Sequence, residues 1–444
     1  MKHNMFSKLA LVSSVAALAV VGCGGSGNDL TPINPQFSKT IPVAGISSAV
    51  SYSFDLGAVD VATNRYYVTD RTNKSVDVVD TSTLSVVAQY QNGYAGCTTN
   101  AGAASPACLA VAGSPVNNDR SGPDGLDVVG SNLFVGDVNS LKIVDKSSGA
   151  LKKTLAIGGA SGLRADEGCY DAEHGLYAIS SPGESPPFMT VVDAVNQNVL
   201  ATVYFDSAGL EACVYDPTTK MFMVNNDGSN ANARGEISGY PAAFFNALKT
   251  PAGIAGPNVQ YLFSAWGTAP SNASTVPAPT GTVLTGTVSY PLGNCDPTGL
   301  ALGPGKDIGA MCRQGKVGET LTFQILDRTT GALLKTVAAG GGDQITYDSG
   351  SNKWFLADSR WTASGNSCAG GSAACPLTPV LAIVDGTTRA LITMLPNGNN
   401  AHSVAVVPGT SSTYTTIFTP FTAPSATGGG AAFPGGGINV FVSQ

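Results

Sequence analysis

Five times along the chain a short apolar run ends in aspartate, passes through a polar turn and resumes as a second apolar run. The five segments are VDVVDTSTLSVVAQY, LKIVDKSSGALKKTLAIG, TVVDAVNQNVLATVYF, FQILDRTTGALLKTVAAG and LAIVDGTTRALITMLP. Aspartate favours such turns because its carboxylate bonds the backbone amides that follow it, so each segment predicts a hairpin. Ahead of most hairpins stand two further apolar runs, the first ending near Tyr-Asp or Val-Asp and the second rich in aromatics. Four strands per repeat, at a spacing of roughly 40 to 65 residues, is the pattern of a propeller blade.

Counting by the aspartate that ends the third strand gives Asp80, Asp145, Asp193, Asp327 and Asp385. The gap between Asp193 and Asp327 is about twice the others. It holds a degenerate repeat (EACVYDPTTKMFMVNN, then GEISGY) and a Pro/Ala-rich insertion around Asn246 to Thr282, which we assign to the fourth blade. The last repeat starts near His402 and ends in INVFVSQ, with Ser443 in the aspartate position and no fourth strand after it. Phe37 to Gly45, FSKTIPVAG, reads like the fourth strands LKKTLAIG and LLKTVAAG but has no strand before it. The expectation is therefore an all-β fold: a single seven-bladed propeller over residues 37–444, with four-stranded blades and an N-terminal strand completing the last one. That closure leaves no open sheet edge between first and last blades. An eight-blade count would require Val283 to Tyr290 to begin a blade of its own.

The first repeat, YYVTDRTNKSVDVVDTSTLSVV at Tyr66 to Val87, resembles the YVTN family of propeller repeats, whose tetrapeptide reads here Tyr67-Val68-Thr69-Asp70. Later versions are LFVGDVNSLKIVD, LYAISSPGESPPFMTVVD and WFLADSR. The resemblance spans most of the chain and implies a fold more than an activity.

Composition adds the compartment. Lys2 and Lys8 flank a start followed by the apolar stretch Leu9 to Val21, too short for a membrane span and suited to a signal peptide over residues 1–22. Val20-Val21-Gly22-Cys23 resembles the lipobox of bacterial lipoproteins, which implies lipidation at Cys23. Residues 23–36 then read as a Gly/Pro/Asn-rich tether. Gly24 lacks the aspartate that commonly retains such proteins at the inner membrane, so the expectation is a monomer at the periplasmic face of the outer membrane or the cell surface. Only 12% of residues are charged and the net charge is −7, which argues against nucleic acid as a partner.

Setting Cys23 aside leaves eight cysteines of nine, an even number that suits disulfides in an oxidising compartment. Eight allow 105 connectivities. The repeat frame favours Cys97 with Cys108 and Cys368 with Cys375, each closing one loop. It places Cys295 and Cys312 on consecutive strands and Cys169 and Cys213 at equivalent strands of successive repeats. Zinc is the rival, but no CxxC occurs and only three histidines are present.

Candidate chemistry lies on the first strand of each repeat. In FDLGAVD, ADEGCYD, LEACVYD and GDQITYD an acid stands at one fixed offset before the final aspartate: Asp55, Asp166, Glu211 and Asp343. The divergent repeats offer Asp124, Asp296 and His402. Innermost strands line a propeller's channel, so these would ring one opening. Crowded carboxylates titrate upward unless a cation or hydrogen bonds compensate, and calcium is one natural solution. Such a ring resembles lactonase-type propellers, gluconolactonase among them, which implies metal ligands at Asp55, Asp166, Glu211, Asp296 and Asp343 and a base or ligand role for His402. The structural alternative is that these acids cap turns and bond neighbouring backbone amides. No GxSxG, HExxH, CxxCH, GxxxxGK[ST] or post-strand GxGxxG is present.

Two function classes follow. One is a binding or scaffold lipoprotein that presents its loops to an envelope partner or small-molecule ligand. The other is a calcium-dependent hydrolase or lyase working at the channel. Whether the chain is an enzyme stays open.

Overall fold

The computed structural model describes residues 34–102, 115–265, 279–313, 316–368, 375–409 and 413–443. The expected signal peptide, Cys23 and Cys108 lie outside these. Among the described residues no helix is long and apolar enough to cross a membrane.

The described chain is a β-propeller. Six sheets have four strands and one has six. The regular sheets are antiparallel meanders such as Phe54–Asp60, Arg65–Asp70, Ser75–Asp80 and Ser85–Tyr90. The seven first strands are Phe54–Asp60, Leu126–Val129, Gly168–Asp171, Leu210–Asp216, Pro297–Leu302, Ile345–Asp348 and Ala405–Val407. Each lies against the next, and the last lies against the first.

The expectation of seven four-stranded blades needs correcting, since only six sheets are of that kind. The sheet Gly168–Asp171, Leu176–Ser181, Phe188–Asp193, Asn198–Tyr204 gains Val259–Leu262 and Thr282–Val283, both added in parallel. The insertion assigned to the fourth repeat thus reaches back and extends the edge of the third. Its residue Val259 pairs with Ala201, and Phe263 stacks on Phe205 at 4.8 Å. The eight-blade alternative also falls: Val288–Pro291 is the outer strand of the fourth sheet, paired with Glu236–Pro241.

The closing strand stands where the sequence places it. Gln36–Ile41 pairs antiparallel with Gly437–Ser443, from Gln36 opposite Val442 to Ile41 opposite Ile438. Ile41 is fully buried there, in a cluster with Tyr66, Phe418 and Val440.

The hairpin turns follow from the repeat's own residues. In the turn after Ser140–Asp145, the Asp145 carboxylate accepts from the Ser147 and Ser148 amides, each at 3.0 Å. The Gly149 amide then donates to the Asp145 carbonyl at 2.8 Å, with Gly149 at φ +73°. The left-handed backbone suits glycine there. Asp327 and Gly331 repeat the device.

Second and third strands are buried on both faces, as in Leu176–Ser181 and Phe188–Asp193, whereas fourth strands such as Leu333–Val337 are largely exposed. This explains why the middle strands read as continuous apolar runs. The core is therefore a set of layers between adjacent sheets; Trp354, fully buried, fills one with Phe323 and Ile325.

Three disulfides lie within the described residues: Cys169–Cys213, Cys295–Cys312 and Cys368–Cys375. Cys97 is also disulfide-bonded. Cys169–Cys213 ties the first strands of consecutive sheets, and Cys295–Cys312 locks the start of the fifth sheet.

Candidate functional site at the channel mouth

The first strands bring their acids to one end of the channel. Asp55, Asp166, Glu211, Asp343 and His402 line a single mouth of about 670 Å³ that opens to solvent. Asp124 sits just behind it, fully buried. Asp296 does not join: it stands at φ +48° and turns to Arg234, 2.5 Å away, which also holds Glu319 at 2.7 Å. His174 also stays apart, bonded to Asp171 at 2.7 Å in its turn.

The compensating cations of the mouth are arginines of the chain. Arg71 donates from Nη2 to Asp55 at 2.7 Å and to Asp124 at 2.5 Å, with a third bond from Nε to Asp124 at 3.0 Å. Arg164 lies 2.9 Å from Asp166 and within 3.8 Å of both Asp55 and Asp124. Arg313 reaches Glu211 at 3.2 Å and Asp227 at 2.7 Å. Arg360 reaches Asp343 at 2.8 Å. The mouth is thus an alternation of guanidinium and carboxylate.

Sequence reasoning passed over these arginines. A signal was present: Asp70-Arg71, Cys312-Arg313 and Asp358-Ser359-Arg360 all place arginine just past the end of a second strand. That position lies beside the start of the first strand, because the two strands are antiparallel neighbours. Glu167 was also missed. It follows Asp166 directly, lines the mouth, and also lines a deeper throat of about 450 Å³ walled by Leu56, Leu126, Leu300 and Ile345.

The surroundings set each carboxyl apart. Burial alone would raise Asp55, but Arg71, aided by His402 and Arg164, holds it well below the usual carboxylate range. Burial raises Asp343 too, and Arg360 with His402 outweighs it. Glu211 goes the other way: burial, with Asp227 adding, pushes it up to about 8 despite Arg313. Glu167 is raised by burial and then by Asp166, Glu211 and Asp343. No ion pair reaches it among the described residues. One mouth therefore holds ionised carboxylates and carboxyls that keep a proton near neutrality, a division of the kind that separates hydrogen-bond acceptors from donors.

His402 is built in by three contacts. Its Nδ1 lies 2.7 Å from the Asn400 carbonyl, its Nε2 lies 3.4 Å from Asp55, and its ring stacks on Phe54 at 4.6 Å. Beside it, Gln344 accepts from the Ser403 hydroxyl at 2.6 Å and donates to the Gly57 carbonyl at 3.0 Å, linking one first strand to the residues just ahead of two others.

Asp55, Asp124 and Asp166 can each offer an oxygen within 4.8 Å of the others, which is the spacing a cation would need. Arg71 and Arg164 already occupy that space. As arranged, this donor set does not fit a resident calcium ion, since the ion would face two guanidiniums.

No known family model matches the chain, and no curated protein matches it. Among solved structures it is similar to a chain in the crystal structure of the mitotic checkpoint complex, at 12% identity and a TM-score of 0.52, covering 100% of this chain and 99% of that one. It is also similar to a chain of hydrazine synthase from Kuenenia stuttgartiensis, at 10% identity and a TM-score of 0.54, covering 85% and 94%. At such identities the likeness shows the propeller fold alone.

Proposed function

We propose that the chain is an exported lipoprotein of YVTN-repeat type that binds a small polar ligand at the channel mouth. In this reading the six-stranded sheet is a blade with two added strands, giving seven radial positions. Cys23 carries the lipid anchor, and the partner is a small molecule or an exposed polar group of another envelope component. The observation that supports it is the mouth itself, where four arginines alternate with carboxyls of both protonation states around an accessible cavity. Such a lining offers charge-assisted donors and acceptors at fixed positions, which gives orientation and selectivity to a polar ligand.

Thermal denaturation of the purified chain against free amino acids, small dicarboxylates and monosaccharides tests this. A compound that raises the midpoint in the native chain and not in Arg313→Gln supports the site. If every compound leaves the midpoint unchanged, or acts equally on both proteins, the channel mouth is not the binding site.

The calcium-dependent lactonase-like reading has the 4.8 Å spacing of Asp55, Asp124 and Asp166 in its favour, and the two guanidiniums among them against it. A calcium-induced thermal shift lost in Glu211→Gln with Asp166→Asn would reinstate it.

A further inference from the structure

The arginines of the channel mouth are spent on its carboxyls one to one. Arg71 holds Asp55, Arg164 holds Asp166, Arg313 holds Glu211 and Arg360 holds Asp343. Glu167 is a further carboxyl of the same lining, and no cation of the chain answers it among the described residues.

Glu167 is 7% exposed, and its carboxyl takes no hydrogen bond among the described residues. Its oxygens are not among the sealed, partnerless atoms of the interior, so they meet the cavity. The residue lines both the mouth and the throat beneath it. The charges it feels most are those of Asp166, Glu211, Asp343 and Asp55, which come from different sheets, so the carboxyl faces the opening rather than one neighbour. The sheet of Ile345–Asp348 offers the contrast. Gln344 precedes that strand as Glu167 precedes Gly168–Asp171. The Gln344 head is engaged at both ends, accepting from Ser403 at 2.6 Å and the Val404 amide at 2.9 Å and donating to Gly57 at 3.0 Å. One position serves structure in one sheet and is left open in the other.

A carboxyl this buried is costly to ionise alone. Burial and the neighbouring acids raise it, so it keeps its proton until a cation takes that proton's place and the proton leaves to solvent. One unanswered carboxyl calls for one positive charge. A calcium ion would need about six to eight oxygens, whereas the throat walls Leu56, Leu126, Leu300 and Ile345 present hydrocarbon. Asp127, in the same throat, accepts from the Tyr177 hydroxyl on Oδ2 at 2.8 Å, and its Oδ1 is unbonded among the described residues. An ammonium group brings three donors to such acceptors, and the apolar walls suit a short methylene stem. We propose that Glu167 receives the primary ammonium of a small aliphatic amine, with Asp127 as the second acceptor and the throat's leucines against the stem. This rests on the reading of the channel mouth as a ligand site and names the class of ligand.

n-Butylamine hydrochloride titrated calorimetrically into the native chain at neutral pH tests it, with n-butanol as the uncharged control. The expected result is saturable binding of the amine, none of the alcohol, and affinity at least about tenfold weaker in Glu167→Gln, which deletes a charge-assisted bond. Should that variant fail to fold, Asp127→Asn is expected to weaken binding severalfold in the same titration. Unaltered affinity in the folded variant overturns the proposal, as does equal binding of the alcohol. Calcium chloride that binds in place of the amine, and is lost in Glu167→Gln, overturns it in favour of a metal. A dicarboxylate or sugar that binds the native chain but not Arg313→Gln, with no binding of the amine, overturns this assignment and leaves the mouth a ligand site. Silence from every compound overturns both.

Discussion

Arg71 Nη2 bridges two sheets, lying 2.7 Å from Asp55 of its own and 2.5 Å from Asp124 of the next. All three side chains are at most one-tenth exposed. Removing the cation strands two buried carboxylates, and breaking such a pair by deleting one partner costs about 3–5 kcal/mol. Arg71→Met is expected to lose stability of that size in urea denaturation. Adding Asp124→Asn should recover part of it, because one stranded charge is then gone. A loss below about 1 kcal/mol would mean that water reaches the pair and screens it.

Asp358 sets a pH dependence. It is fully buried, its Oδ2 accepts from the Gly340 amide at 2.8 Å, and its Oδ1 is unpartnered among the described residues. Burial pushes its carboxyl up to about 8. A carboxyl raised on folding favours the protonated native state. Its contribution is whole below the unfolded value of about 4 and is lost as pH rises through about 8. The native chain should therefore melt at lower temperature as pH rises across that window, and Asp358→Asn should flatten the trend. An unchanged slope in the variant would assign the dependence to other acids.

The Cys169–Cys213 bridge closes a loop of 44 residues. Chain-entropy reasoning puts such a cross-link at about 4 kcal/mol. Replacing both cysteines by alanine should lower the denaturation midpoint accordingly, while non-reducing peptide mapping of the native chain should recover the three pairs 169–213, 295–312 and 368–375.

Ile41 tests the seam between Gln36–Ile41 and Gly437–Ser443. It is fully buried against Val440 and Tyr66, and truncating such a side chain costs about 2–5 kcal/mol. Ile41→Ala should show that loss, with protection of the Gly437–Ser443 amides falling first in hydrogen exchange. Uniform loss across all sheets would show that the seam does not open by itself.

The frame was legible because each hairpin writes its turn in sequence: Asp145 and Gly149, or Asp327 and Gly331, are local devices that need no distant partner. The carboxylate ring was legible for the same reason, since Asp55, Asp166, Glu211 and Asp343 keep one offset from a turn aspartate. Asp296 broke the pattern because its left-handed backbone and Arg234 draw it aside, and no local residue announces that. The arginines were missed because Arg71 joins Asp55 of its own sheet to Asp124 of the next, and such a cross-sheet pairing becomes visible once the sheets are arranged. The added strands Val259–Leu262 and Thr282–Val283 were unreadable for a related reason: they pair backward with an edge already complete in itself.

The seam has a temporal meaning. Among the described residues Gln36–Ile41 finds its only strand partner at Gly437–Ser443, so during synthesis it must wait through the emergence of six other sheets. Until then it is an orphan ribbon, and the first sheet faces no neighbour on one side. A polypeptide cut short before Gly437 can never retire that ribbon, and it keeps an adhesive edge that proteases or aggregation can detect. Ring closure therefore joins the first strand of the described chain to the last, and a chain that stops short of Ser443 leaves that join incomplete.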